Sequence, residues 1–253
     1  MVKYFVIHDI HEECGIFGVY GHPEAANLTY LGLYALQHRG QEGTGICSSD
    51  GRRLFLEKSR GLIADVFNEK RLRRLPGHMS IGHNRYSTAG SSVLRNVQPI
   101  VANFALGSLA IAHNGNLVNA LEVRAALEDE GAIFQSSSDS EVIVHLIAHS
   151  KGDDFYERVL HALKQISGAF SLLILREKEL IAVRDPYGVR PLSLGLKDGA
   201  YIVASETCAF DLIGAMYVRD IEPGEVLIIG EDGIRSMRLL NSTRKAFCVF
   251  EFI

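Results

Sequence analysis

Four short stretches of this 253-residue chain carry residue types able to do chemistry together. The first is EECGIFGVYG, which sets Cys14 directly ahead of a glycine-rich apolar run. A free cysteine is most simply a small buried hydrophobe. If residues 1–13 are removed, however, thiol and α-amine stand on one residue. An α-amine titrates at about 7.7 to 8.0 and a thiol at about 8.5, so the pair can exchange a proton near neutral pH without a histidine. The Cys14 thiol could also attack the Glu13 carbonyl and release the leader itself. Gly15 leaves room for backbone to approach a substrate.

The second stretch is HNRYSTAG, His83 to Gly90. Taken alone, Arg85 at a strand end reads as a solvated charge. Followed by Tyr86, Ser87 and Thr88, it can instead grip a carboxylate through a two-pronged guanidinium contact backed by a hydroxyl. The third is AHNGNL, Ala112 to Leu117, where Asn-Gly is most simply a turn. Yet the Asn114 amide and the Gly115 N–H are the donor types of an oxyanion hole. The fourth is SSSDSE, Ser136 to Glu141, whose Asp139 is a helix-start acid or the counter-charge for a substrate ammonium group. A thiol, a carboxylate clamp, an ammonium clamp and oxyanion donors suit an α-amino acid with a cleavable side-chain amide.

The elements that must position these residues are mostly strands. Short β-branched or alternating runs cover 15–19, 54–57, 80–86, 108–113, 169–175, 180–184, 201–205, 226–229 and 234–239. Tight connections at Arg176–Glu179 and Glu231–Gly233 suit hairpins, so the sheets should be mainly antiparallel. Helical periodicity appears at Pro23–His38, Leu117–Glu130, Ser138–His149 and Asp153–Ile166. Helices grouped in blocks between hairpins point to an α+β layered domain rather than a dinucleotide-binding βαβ fold.

Composition narrows the partners. With 47% hydrophobic residues, 22% charged residues and a net charge of −4, the chain has the makings of a large core and no basic footprint for nucleic acid. Its apolar runs are far shorter than the ~20 residues a membrane helix needs. The leader MVKYFVIHDIHEE lacks the apolar stretch and cleavage site of a secretory signal. Cys14, Cys47, Cys208 and Cys248 are scattered without a CxxC pair, which suits a reducing cytoplasm.

Read together, CGIFGVYGHPEAANLTYLGLYALQHRGQEGTGI, HNRYSTAG, AHNGNL, SSDSE and RDPYGVRPLSLG resemble, in the same order, the glutaminase domain of the amidophosphoribosyltransferase family. The resemblance runs from Cys14 to Ile253. It implies an N-terminal-nucleophile hydrolase fold, a four-layer αββα sandwich of two mainly antiparallel sheets. It further implies a cleavable leader over 1–13, a glutaminase domain over 14–245, and the start of a phosphoribosyltransferase domain over 246–253. Cys14 then looks like the nucleophile, and Asn114 with Gly115 like the oxyanion donors. Arg85 with Thr88 looks like the glutamine carboxylate ligand, and Asp139 like the ammonium ligand. Arg39 and Gly40 match the loop that closes against the nucleophile.

The implied reaction hydrolyses glutamine through a Cys14 thioester and needs no cofactor. In the whole enzyme the ammonia would meet phosphoribosyl pyrophosphate, giving 5-phosphoribosylamine at the start of purine biosynthesis. Magnesium and a 4Fe–4S cluster with Cys248 as one ligand are implied for the full-length protein, as is a homo-oligomer. A cubane cluster takes about four thiolates, so Cys248 alone cannot hold one. Cys47 and Cys208 read as core or near-surface thiols without a role. The other readings are a glutaminase domain with a different ammonia acceptor and a non-catalytic glutamine-binding or assembly module.

Overall fold

The computed structural model describes residues 14–86, 93–239 and 246, so the leader, Thr88 and Cys248 lie outside the described residues. The chain enters through strand β1 (Gly15–Tyr20) and helix α1 (Ala25–Ala35), then β2 (Gly43–Ser49) and β3 (Leu54–Arg60). Two short helices, α2 (Ile63–Val66) and α3 (Glu69–Leu72), lead to β4 (Met79–Arg85). Strands β5 (Ile100–Phe104) and β6 (Gly107–Leu117) pair, and helices α4 (Ala120–Asp129), α5 (Asp139–His149) and α6 (Phe155–Leu163) follow. The rest is β7 (Gly168–Leu175), β8 (Leu180–Arg184), β9 (Ser193–Lys197), β10 (Ala200–Ala204), α7 (Cys208–Ile213), β11 (Met216–Asp220), β12 (Glu225–Gly230) and β13 (Gly233–Arg238).

These strands make two sheets, a seven-stranded one ordered β11-β9-β10-β1-β4-β2-β3 and a six-stranded one ordered β13-β12-β8-β7-β6-β5. Every neighbouring pair is antiparallel. Three apolar cores separate four layers. Phe17 and Val19 of β1 pack under α1 with Leu28 and Leu33. Ile16, Ile81, Ala110, Ala112 and Leu173 fill the space between the sheets. Phe170, Leu172 and Ile174 of β7 pack under α5 and α6 with Ile143, Ile147 and Val159.

The cause is the two-residue period of a strand, which sends successive side chains to opposite faces. Each fully buried Ile, Leu or Phe contributes roughly 1.5–3 kcal/mol, so one slip in register would be costly. This is the α+β arrangement of two antiparallel sheets that an N-terminal-nucleophile hydrolase fold requires.

Boundaries shift where tertiary contacts outweigh local pattern. Pro23 precedes α1, and a 3-10 turn over Gln37–Arg39 replaces the expected helical end at His38. There the Arg39 N–H bonds the Leu36 carbonyl, three residues back, and the chain bends away at Gly40. Helix α4 begins at Ala120, because 114–117 stay in β6 and pair with 168–171 of β7. Asn114-Gly115 is therefore strand, not turn.

Strands β2, β5, β9 and β11 lie outside the runs that the sequence pattern singles out. In β2, GTGICSS, all seven residues are buried, which erases the polar face that alternation needs. Helix α5 starts as its sequence suggests: the Ser138 hydroxyl accepts from the Ser140 N–H at 3.3 Å, with Asp139 and Glu141 in the first turn.

Candidate active site

Cys14 stands at the head of β1, where Gly15 pairs with Asn84 of β4. Its neighbours across the sheet are therefore Arg85 and Tyr86. The thiol is buried, and its sulfur lies 3.3 Å from both the carbonyl oxygen and the amide nitrogen of Tyr86. Thiol proton and sulfur lone pair thus each have a backbone partner. Arg85 is itself 5% exposed, so the solvated-charge reading fails.

The loop after α1 closes over this corner. Arg39, 1% exposed, donates from Nε to the Cys14 carbonyl at 3.2 Å and pairs through Nη1 with Glu206. Burial opposes the charge on Glu206, but the Arg39 hydrogen bond and charge, with His38, outweigh it and hold the carboxyl below its usual range. Gly40 sits so close to β4 that an added Cβ would lie 2.6 Å from the Arg85 carbonyl carbon. Only glycine lets the loop approach.

The other sheet supplies the facing wall. Ala110 and Ala112 of β6 point into the layer between the sheets, and the same alternation carries Asn114 there. Asn114 is fully buried, and neither its amide oxygen nor its amide nitrogen has a hydrogen-bond partner. Buried amides are nearly always paired, so an unpaired one needs a reason outside the fold. Gly115 follows at φ +142°, and a Cβ there would lie 2.0 Å from the Ala169 carbonyl oxygen.

Behind Asn114 a polar network fixes the strand. The Nε2 of His83 lies 3.1 Å from the His113 carbonyl oxygen, bridging the two sheets. Gln98 accepts from the His113 N–H at 2.7 Å and donates to Ser140 Oγ at 3.0 Å. His113 Nδ1 reaches the same hydroxyl at 3.0 Å, and Asp139 at 3.8 Å. Burial lowers the pKa of both imidazoles, that of His83 to about 3. Asp139, at the head of α5, accepts from the Leu117 N–H at 3.1 Å, so it is both helix-start acid and a partner of the strand that carries Asn114.

Cys14, Arg39, Gly40, Arg85, Asn114, Gly115 and Asp139 thus gather at one end of the sandwich; Thr88 lies outside the described residues. Glu206 and Gln98 lie outside the motifs, and His83, His113 and Ser140 lie inside them without being singled out, because each acts through a partner distant in sequence. A surface groove of about 550 Å³ lies elsewhere, between β5 and α5, and is lined by Lys58, Arg95, Asn103 and His145 without a cysteine. No described helix is long and apolar enough to cross a membrane.

The described cysteines do not make a cluster cage. Cys47 is buried between the sheets, Cys14 lies against Tyr86, and Cys208 is exposed beside Glu206. These described thiols do not fit a 4Fe–4S ligand set.

Two antiparallel sheets packed between helical layers, with a buried cysteine heading the first described strand, define the fold of the N-terminal-nucleophile hydrolases. Residues 83–211, half of the chain, match a family model described as a glutamine amidotransferase domain. The chain belongs to that family.

Within it, the chain is 52% identical over 244 residues to amidophosphoribosyltransferase 1, chloroplastic, of Arabidopsis thaliana, covering 96% of this chain and 43% of that protein. It is 48% identical over 248 residues to the amidophosphoribosyltransferase of Bacillus subtilis, covering 98% and 52%. The solved glutamine phosphoribosylpyrophosphate amidotransferase of B. subtilis, complexed with ADP and GMP, aligns at a TM-score of 0.90 with 48% identity, over 94% of this chain and 52% of that one. The chain therefore spans about half the length of these relatives.

Proposed function

We propose that the chain is the glutaminase half of an amidophosphoribosyltransferase, hydrolysing glutamine to glutamate and ammonia through a thioester on Cys14. The observation that carries this reading is the buried, unpartnered Asn114 amide on the face that Cys14 shares.

In the proposed cycle, removal of 1–13 frees the Cys14 amine, which takes the thiol proton. The thiolate attacks the side-chain carbonyl carbon of glutamine, and the displaced electron pair moves to oxygen. Asn114 Nδ2 and the Gly115 N–H donate to that oxyanion. The protonated amine then gives its proton to the leaving nitrogen, and ammonia departs. Water next attacks the thioester, the same amine takes its proton, and glutamate leaves as the thiol reforms. Arg85, with Thr88, holds the substrate carboxylate, and Asp139 holds its ammonium group.

The ammonia acceptor is proposed as phosphoribosyl pyrophosphate, on the strength of about 50% identity to enzymes with that name. Magnesium, a cluster using Cys248, homo-oligomerisation and a cytoplasmic location belong to the same proposal for the longer protein. No step above passes through a metal.

Intact mass and N-terminal sequencing of the purified chain, beside an assay of glutamate release, test the reading. A chain beginning at Cys14 that releases glutamate supports it. A processed chain that is inert, or a Cys14→Ala variant that keeps activity, rejects it.

A further inference from the structure

Three side chains beside the nucleophile, with no part in the cycle above, offer ligand atoms to one point. His38 lies on the 3-10 turn, Glu206 just after β10, and Cys208 at the start of α7. Their ligand atoms all lie within 4.8 Å of one another. His38 Nε2 is 3.0 and 3.2 Å from the two Glu206 oxygens, and Cys208 Sγ is 3.4 Å from Oε2. A tetrahedral ion with bonds of about 2.0–2.3 Å sets its ligand atoms roughly 3–4 Å apart, so small side-chain shifts would complete the geometry.

The tautomer strengthens the case. His38 Nδ1 lies 3.1 Å from the Ala35 carbonyl oxygen, and the neutral tautomer with its proton on Nδ1 donates to it. Nε2 then presents a lone pair to a carboxylate, acceptor against acceptor. Such a set is held together by a cation, either a proton on the ring or a metal ion shared among the ligands. An imidazole whose second nitrogen donates to a backbone carbonyl is the usual arrangement of a metal-binding histidine.

We propose that His38, Glu206 and Cys208 bind a zinc-type divalent ion, with water as the fourth ligand. The mix of imidazole, carboxylate and thiol suits zinc rather than magnesium or calcium. His38 and Cys208 are exposed, so the ion enters from solvent without an opening step. Burial, then Glu206, pushes the Cys208 thiol up to about 11. Coordination removes that proton to solvent as the sulfur–metal bond forms.

Glu206 links this cluster to the nucleophile, because it also pairs with Arg39, which holds the Cys14 carbonyl. A divalent ion draws on the same carboxylate and loosens Arg39. Occupancy should therefore slow glutamate release; that consequence rests on the Cys14 reading, whereas binding does not.

The test uses the full chain as Cys14→Ala, which removes the competing nucleophile thiol, titrated with cobalt(II) and then zinc. One equivalent of cobalt should give a thiolate-to-cobalt charge-transfer band with tetrahedral d–d absorption, and one equivalent of zinc should erase it. Adding Cys208→Ser should abolish the band. Adding His38→Ala should weaken binding by more than the roughly 10- to 100-fold that losing an outer-shell partner costs. Circular dichroism confirms that each variant is folded. A band that survives Cys208→Ser, or folded Cys14→Ala protein that binds neither ion, overturns the site and leaves His38–Glu206 as an ion pair alone. With Cys14 present, zinc inhibition that Cys208→Ser relieves supports the link through Arg39; equal inhibition in both proteins overturns that link.

Discussion

His83 on the seven-stranded sheet bonds the backbone carbonyl of His113 on the six-stranded sheet, Nε2 to oxygen, at 3.1 Å. His113 directly precedes Asn114, so this one contact sets the height of the donor wall above the strand that ends at Arg85. The other ring nitrogen of His83 is buried without a partner. Protonating it would place a charge in the core.

Acid should therefore destabilise the fold. The pKa of His83 falls from 6.5 to about 3 on burial, so between those values the unfolded chain binds a proton that the native chain refuses. Stability is complete above pH 6.5 and declines as pH falls toward 3, at about 1.4 kcal/mol per unit for this group. Burial shifts His113 in the same direction. Urea midpoints measured across the window should fall with pH, and His83→Gln should flatten the slope; an unchanged slope would refute the assignment.

Asn114→Leu should lower kcat by ~10²–10³-fold, the usual worth of one oxyanion donor. Its melting temperature should hold or rise, since the change removes an unpaired buried amide. Steady-state kinetics beside calorimetry check this. A loss of stability equal to the loss of rate would make Asn114 a structural residue.

Asp139→Asn keeps an oxygen to accept from the Leu117 N–H, which the carboxylate now meets at 3.1 Å, while removing the charge. KM for glutamine should rise sharply and kcat fall less. An unchanged KM would mean that Asp139 does not meet the substrate ammonium group.

Glu206→Gln removes the carboxylate charge that pairs with the buried Arg39 guanidinium. The cost should be about 1–3 kcal/mol, toward the lower end because the Glu206 side chain is 29% exposed. Glutamate release should slow as the Cys14 carbonyl loses its fixed donor. Wild-type kcat in this variant would show that Arg39 holds its place without Glu206.

Gly115→Ala combines a φ of +142° with a Cβ 2.0 Å from the Ala169 oxygen. The backbone must shift, at a cost of at least about 1–3 kcal/mol, and the Gly115 N–H moves with it. Both melting temperature and kcat should drop. A variant with native values would show that β6 yields freely there.

The sequence alone determined the layered α+β class and singled out Cys14, Arg85 and Asp139 as candidate site residues. Those signals are local: a cysteine ahead of a glycine-rich strand, an arginine closing a strand, and serines with an aspartate opening a helix. Apolar periodicity placed the helices that cover each sheet, because burial on one face writes its period into the residues. It could not place β2, since a strand buried on both faces has no such period.

Tertiary structure decided the rest. Asn114-Gly115 is strand rather than turn because β7 pairs with it residue for residue, outweighing the preference of Asn-Gly for a turn. Arg85 is a buried group because the Gly40 loop closes against its backbone. Glu206 reaches Arg39 across 167 positions. No local pattern encodes such a pairing, because side-chain partnership follows distance in space, and the two sheets set that distance only once they have packed.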